Sequence, residues 1–218
     1  MTPLDFVSQL STLRFTDAFN PYSDQCPVHD LDDAPVQRSN LLIQTLEMAE
    51  QIEVDSIWVG RDLGFRGGRR TGLAFTDDVH FHDHLSRWGI SLARPTLGQP
   101  VAERTATIIW EMLERIQAPI FLWNVFPLHP HEHGAPFTNR AHNAEERKAG
   151  TEKLLQLIHL LRPKRLIAVG NDAEKVLGRI SGGANVVKFR HPSYGGQTEF
   201  LCQIGELYGL NRKQPMLF

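Results

Sequence analysis

Four short apolar runs punctuate the chain: DSIWVG (55–60), PIFLWNV (119–125), KRLIAVG (164–170) and NVVKFRH (185–191). The first three are nearly continuous in apolar character, the pattern of strands covered on both faces of a parallel sheet. Helical spacing fills the intervals. PVAERTATIIWEMLERIQ (100–117) opens with Pro100 and sets Ile108, Met112 and Ile116 four residues apart. NAEERKAGTEKLLQLIHLL (143–161) opens with Asn143 as a cap and carries Glu146 three residues later, a capping-box pair. NDAEKVLGRI (171–180) and TEFLCQIGELYG (198–209) read as further helices. Ahead of the first strand, LDFVSQLSTL and APVQRSNLLIQTLEMAEQI predict two more, joined by the loop FNPYSDQCPVHD. Strand and helix alternate, so the expectation is an α/β fold. It would be a three-layer α/β/α sandwich around a central four-stranded parallel sheet, with right-handed crossovers and a single domain over residues 1–218.

Composition adds limits rather than a function. A chain of 218 residues with 41% hydrophobic and 22% charged residues buries about 70% of its unfolded surface. No apolar run approaches the roughly 20 residues that span a bilayer, so no membrane partner is expected. MTPLDFVSQL lacks the basic and apolar regions of a secretory signal, and the expected compartment is the cytoplasm. Two cysteines, Cys26 and Cys202, are too few for a cysteine-ligated iron–sulfur cluster or a disulfide framework. A net charge of −2 argues against wholesale adhesion to nucleic acid but leaves a local basic face possible. The stretch GRDLGFRGGRRTGLAF (60–75) concentrates charge in this way: Arg61, Arg66, Arg69 and Arg70 stand among five glycines. Glycines let backbone amides approach an anion closely.

Polar residues fall where an open α/β sheet binds ligands, outside the carboxyl ends of its strands. The first strand runs into Gly60-Arg61-Asp62, the second into Asn124, the third into Gly170-Asn171 and the fourth into His191-Pro192-Ser193. An acid, an amide and an imidazole would therefore converge on one crevice.

Three ordered motifs resemble the uracil-DNA glycosylase superfamily. GRDLGFRGGRRTGLAF is similar to the first motif, with Gly60 and Asp62 on the glycine and the water-activating aspartate, and Gly72-Leu73-Ala74-Phe75 on its closing segment. LWN (122–124) resembles the second motif and RHPSYGG (190–196) the third. FNPY (19–22), NVFPLHPH (124–131), TNRAHNAEE (138–146) and AVGNDAEKVL (168–177) resemble bacterial members. The resemblance implies a DNA glycosylase that flips a uracil or modified pyrimidine out of the helix and hydrolyses its N-glycosidic bond. The expected partner is DNA, with no cofactor or metal, and the expected state a monomer. Asp62, Asn124 and His191 would be the catalytic residues. Phe75 would stack on the base and Asn124 read its edge, in a pocket that also includes Gly60, Arg61, Leu63 and Gly64. Arg66, Arg69, Arg70, Arg140, Ser193, Tyr194 and Gly195 would hold DNA, Tyr194 as a candidate wedge.

Departures from the family pattern are informative. The proline usual after the aspartate is replaced by Leu63, and Arg61 stands where a neutral or acidic residue is usual. Gly64 stands where the strict uracil branch has a tyrosine against the C5 methyl of thymine. That predicts room beside C5, and an alternative role on bulky, phage-type C5-modified pyrimidines in defence. Two other classes compete. Alternating histidines (His80, His82, His84; His129, His131, His133) suit a zinc-dependent hydrolase, and a non-catalytic DNA-binding member would keep the arginines alone. A dinucleotide-binding protein is disfavoured because G-x-G-x-x-G is absent after the first strand.

Overall fold

The computed structural model describes residues 1–181, 185–193 and 195–210. Helix α1 (Pro3–Ser11) starts at a reciprocal cap: Thr2 Oγ1 accepts the Asp5 N–H while the Asp5 carboxylate accepts the Thr2 N–H. Phe6, Val7 and Leu10 form its buried side. A two-residue strand β1 (Ala18–Phe19) follows, then helix α2 (Ala34–Glu50). Strand β2 (Ser56–Asp62) leads into the short helices α3 (Gly68–Thr71) and α4 (Phe81–Arg87), and then into α5 (Arg104–Leu113). The second half runs β3 (Ile120–Phe126), β4 (His129–Pro130), α6 (Ala144–Leu161), β5 (Arg165–Val169), α7 (Asn171–Ile180), β6 (Val186–Phe189) and α8 (Gln197–Leu207).

The main sheet has the order β3-β2-β5-β6 with every pair parallel, as expected, and β1 pairs antiparallel with β4 in a separate ribbon. Side chains alternate between its two faces. Ile57, Val59, Phe121, Trp123, Leu166 and Ala168 pack under α1, α2, α6 and α7. Trp58, Ile120, Leu122, Ile167 and Val169 pack with residues of α5 and α8. These are the three layers. From β2 the chain steps sideways to β3, then recrosses β2 to reach β5 on its other flank. The carboxyl ends of β2 and β5 therefore border the point where the winding reverses, the place such sheets bind ligands.

Two details differ from the sequence expectation. The helix expected from Pro100 begins only at Arg104, because Val101 and Glu103 donate their N–H groups to the carboxylates of Asp78 (3.2 Å) and Asp77 (2.6 Å). Those bonds hold the approach to α5 extended. The segment after β2 is also not an open loop: α3 and α4 fold it onto the body through Leu73, Phe81 and Leu85. The cap of α6 is as expected, with Asn143 Oδ1 accepting from Glu145 and Glu146 and the Glu146 carboxylate accepting from Asn143 at 2.7 Å. No helix among the described residues is long and apolar enough to cross a membrane.

Candidate active site

Parallel pairing sets Gly60 beside Asn124 and Asp62 beside Phe126 at the carboxyl ends of β2 and β3. Gly60 is required there by close approach. A methyl group on it would run into Asn124 Oδ1 and Phe75 Cζ, and would lie 2.9 Å from Phe75 Cε1. The amide and the ring thus meet over a bare glycine. Asn124 is 2% exposed, and its side chain makes no hydrogen bond within the protein among the described residues. Phe75 takes a left-handed backbone conformation, φ 53°, rare for an aromatic residue and typical of strain held at working sites. Its carbonyl is pinned by the Trp110 Nε1–H at 3.1 Å, and its half-buried ring faces the cleft.

His191 follows β6 and lies against Gly170, whose φ of +93° admits no ordinary side chain and whose hydrogen-only Cα leaves space for the imidazole. The Ser193 N–H donates to His191 Nδ1 at 3.2 Å. With Nδ1 accepting, the ring proton of the neutral form belongs to Nε2. Burial, reinforced by the guanidinium groups of Arg61 and Arg190, lowers the His191 pKa below the ordinary histidine value. The ring is therefore a neutral donor at physiological pH.

Asp62 is almost covered, with 5% of its side chain exposed. One carboxylate oxygen accepts from Arg61 Nε at 2.7 Å, and the other is bonded to His142 Nδ1. Arg61 also lies 3.7 Å from Asp172. His142, itself 6% exposed, packs edge-on against Phe126. Neither His142 nor Asn139, which accepts the Phe65 N–H at 3.0 Å, stood out in the sequence, although both lie in the segment TNRAHNAEE. Their places in that segment were the available signal.

A cleft of about 460 Å³ joins these elements at the switch point. Arg61, Asp62, Leu63, Gly64, Phe75, Arg140, His191 and Ser193 all border it. Gly60 and Asn124 do not line it, but a methyl on Gly60 would meet both Asn124 Oδ1 and the Phe75 ring that does. Gly170, Asn171, Arg190 and Glu103, none of them assigned a role from the sequence, line it as well. Gly195, φ 78°, is exposed beyond it. Tyr194 lies outside the described residues.

Several expected DNA contacts are corrected. Arg69 is 5% exposed, its guanidinium 3.8 Å from the Phe19 ring centre and bonded to His129 Nδ1 at 3.1 Å. Arg70, 4% exposed, is bonded to Asp78 at 2.6 Å. Both hold the fold and do not face DNA. Arg140 touches the cleft, but its guanidinium is taken up by Glu146 (2.6 and 2.7 Å) and by the carbonyls of Thr16, Asp17, His131 and Ala141, so no donor is left for a phosphate. Arg61 and Arg66 remain exposed. The room expected beside Gly64 is filled: Oε1 of Glu103 would lie 2.6 Å from a methyl there. The histidines also have other work. His129 bonds Arg69 and the Thr138 carbonyl and is pushed down to about 3, mainly by burial. His84 bonds Thr76, and His80 bonds Asp77. Among the described residues no three potential metal ligands cluster.

An α/β sandwich whose cleft is bordered by an aromatic ring, a neutral imidazole and a carboxylate has the make-up of a catalytic or ligand-binding site. Comparison with known proteins agrees. A profile of the Uracil DNA glycosylase superfamily matches residues 50–203, more than half of the chain. The chain belongs to that superfamily, and with it to the DNA glycosylases, hydrolases whose substrate is DNA. Among solved structures, wild-type SMUG2 from Pedobacter heparinus has the same fold at 17% identity and a TM-score of 0.57, with 98% of this chain and 100% of the other covered. A tyrosine-to-glycine mutant of UNG from Nitratifractor salsuginis aligns at 17% identity and a TM-score of 0.41, over 95% and 96%. Nothing matches among the curated proteins.

Proposed function

We propose that the protein excises uracil, or a pyrimidine of similar size, from DNA and leaves an abasic site. The observation that carries this reading is the meeting of Phe75 and Asn124 over Gly60, with the Phe75 ring lining a cleft that also holds Asp62 and His191. The ring offers a face for stacking, worth about 1–3 kcal/mol per base. The unpartnered amide offers a donor and an acceptor to the base edge. The N-glycosidic bond breaks with its electron pair leaving on the base, whose negative charge spreads to a carbonyl oxygen. His191 Nε2–H donates to that oxygen, a preorganised contact of the kind that dominates many such barriers. Asp62 faces the electron-poor sugar, orients the water that adds to its anomeric carbon and accepts the proton that water releases, which passes on to the departed base anion. His142 and Arg61 fix the carboxylate for that task.

The test is base release, identified by mass spectrometry, from oligonucleotides carrying uracil, thymine or 5-substituted pyrimidines. Abasic sites are scored in parallel by alkaline cleavage. His191→Ala and Asp62→Asn should each slow release by about 100- to 1000-fold while duplex affinity persists. Binding without base release by the wild-type protein would instead identify a non-catalytic member.

A further inference from the structure

Glu103 is the residue immediately before α5, with the extended backbone (ψ 128°) usual at a helix N-cap, and its N–H is held by Asp77. Its side chain reaches towards the loop after β2. A methyl on Gly64 would lie 2.6 Å from Oε1, and one on Gly67 would collide with Oε2. The two glycines leave a notch in the cleft wall, and the carboxyl fills it. Among the described residues no hydrogen-bond donor meets that carboxyl. Its charged neighbours are the Asp77 carboxylate, from the segment between α3 and α4, and Arg66, from the loop after β2; His80 is bonded to Asp77 in turn. Burial first, and then Asp77, push the acid up to about 7, with Arg66 opposing. An acid held this way contributes little to the fold, which points to a role in the cleft.

We propose that Glu103 is the specificity-determining residue of this cleft, an acid gate that admits a pyrimidine with hydrogen at C5 and shuts out one with an alkyl group there. The inference rests on the base-excision reading above and on Gly64 marking the C5 side of the base. An alkyl group could enter only by pushing the carboxyl from its notch. It would offer that polar group no hydrogen bond in exchange for lost water. The glycine that suggests an open slot is thus one half of a closed one.

The experiment compares single-turnover release of uracil and thymine from otherwise identical duplexes. The wild-type protein should prefer uracil by about 100-fold or more. Glu103→Ala empties the notch and should cut that ratio at least tenfold. Glu103→Gln, which keeps the size, should leave the ratio within about threefold of wild type. Should Glu103→Ala fail to fold, Glu103→Asp withdraws the carboxyl by one methylene and should shift the ratio in the same direction. A wild-type protein active on uracil whose ratio is unmoved by truncation overturns the gate alone. A wild-type protein that releases no pyrimidine overturns the excision reading and the gate with it.

Discussion

Replacing Gly60 with alanine puts a methyl group against both the Asn124 amide and the Phe75 ring that lines the cleft. The new carbon would lie 2.9 Å from Phe75 Cε1 and closer still to Phe75 Cζ and Asn124 Oδ1. Carbon atoms in ordinary contact stand 3.5–4.0 Å apart, so the ring must retreat by about 1 Å. Trp110 holds the Phe75 carbonyl, so the adjustment falls on the ring and the Asn124 amide. Misplacing positioning groups by about 1 Å costs on the order of 100-fold in rate, and overpacking at such a site costs about 1–3 kcal/mol of stability. Gly60→Ala should therefore remain folded, melt a few degrees lower, and release uracil about 100-fold more slowly. Single-turnover base release with a thermal melt of the same preparation measures both. Wild-type turnover in a folded Gly60→Ala protein would mean that Phe75 and Asn124 do not jointly hold the base, and the site as assembled here would be wrong.

Arginine substitutions should separate scaffold from contact. Arg70→Ala removes the closest partner of the buried Asp78, which keeps Arg94 and the donors of Thr96 and Val101, so a loss of about 1–3 kcal/mol should lower the melting temperature by several degrees. Arg66→Ala should leave the melt unchanged and weaken duplex binding with a shallower salt dependence. His191 should give a pH signature. Its pKa is depressed, so the neutral donor persists as pH falls through 6.5, and base release should stay level there. The measurement belongs in a Glu103→Gln background, so that this acid does not titrate in the same window; an acid limb at 6.5 would refute the neutral-donor assignment. Glu103 has the opposite sign. Its folded pKa is raised to about 7 from 4.5, so its contribution to stability is present below 4.5 and is lost as pH rises through 7. Denaturant unfolding should show Glu103→Gln gaining on wild type by up to about 3 kcal/mol between pH 4 and pH 8.

The sheet was legible because parallel strands covered on both faces write themselves as unbroken apolar runs, and the α6 start because Asn143 and Glu146 satisfy each other locally. That Asp62 and His191 border one cleft was legible from topology, since each stands at or just beyond the carboxyl end of a strand, whereas Phe75, beyond α3, was placed by resemblance alone. What escaped depends on partners remote in sequence. Arg69 and Arg70 read as DNA contacts because nothing in the local pattern announces Phe19 or His129, far along the chain, or Asp78 as their company. Glu103 looked like one more helical residue, and its place in the cleft wall beside Gly64 and Gly67 shows only once the chain folds. His142 is joined to Asp62 by folding alone. Local chemistry shows in the order of residues, whereas long-range pairing of charges does not.

Phe75 carries one further consequence. Its left-handed backbone is a conformation a free peptide seldom visits, costing about 1–3 kcal/mol, and folding has already met that cost. On the base-excision reading proposed above, an incoming nucleobase would find the backbone that carries its aromatic shelf already in position, with no ordering of that turn to slow its capture. The protein is accordingly suited to catch bases that leave the stack only briefly, and its selectivity must come from the walls around the shelf, because the shelf itself is indifferent to which base lands on it.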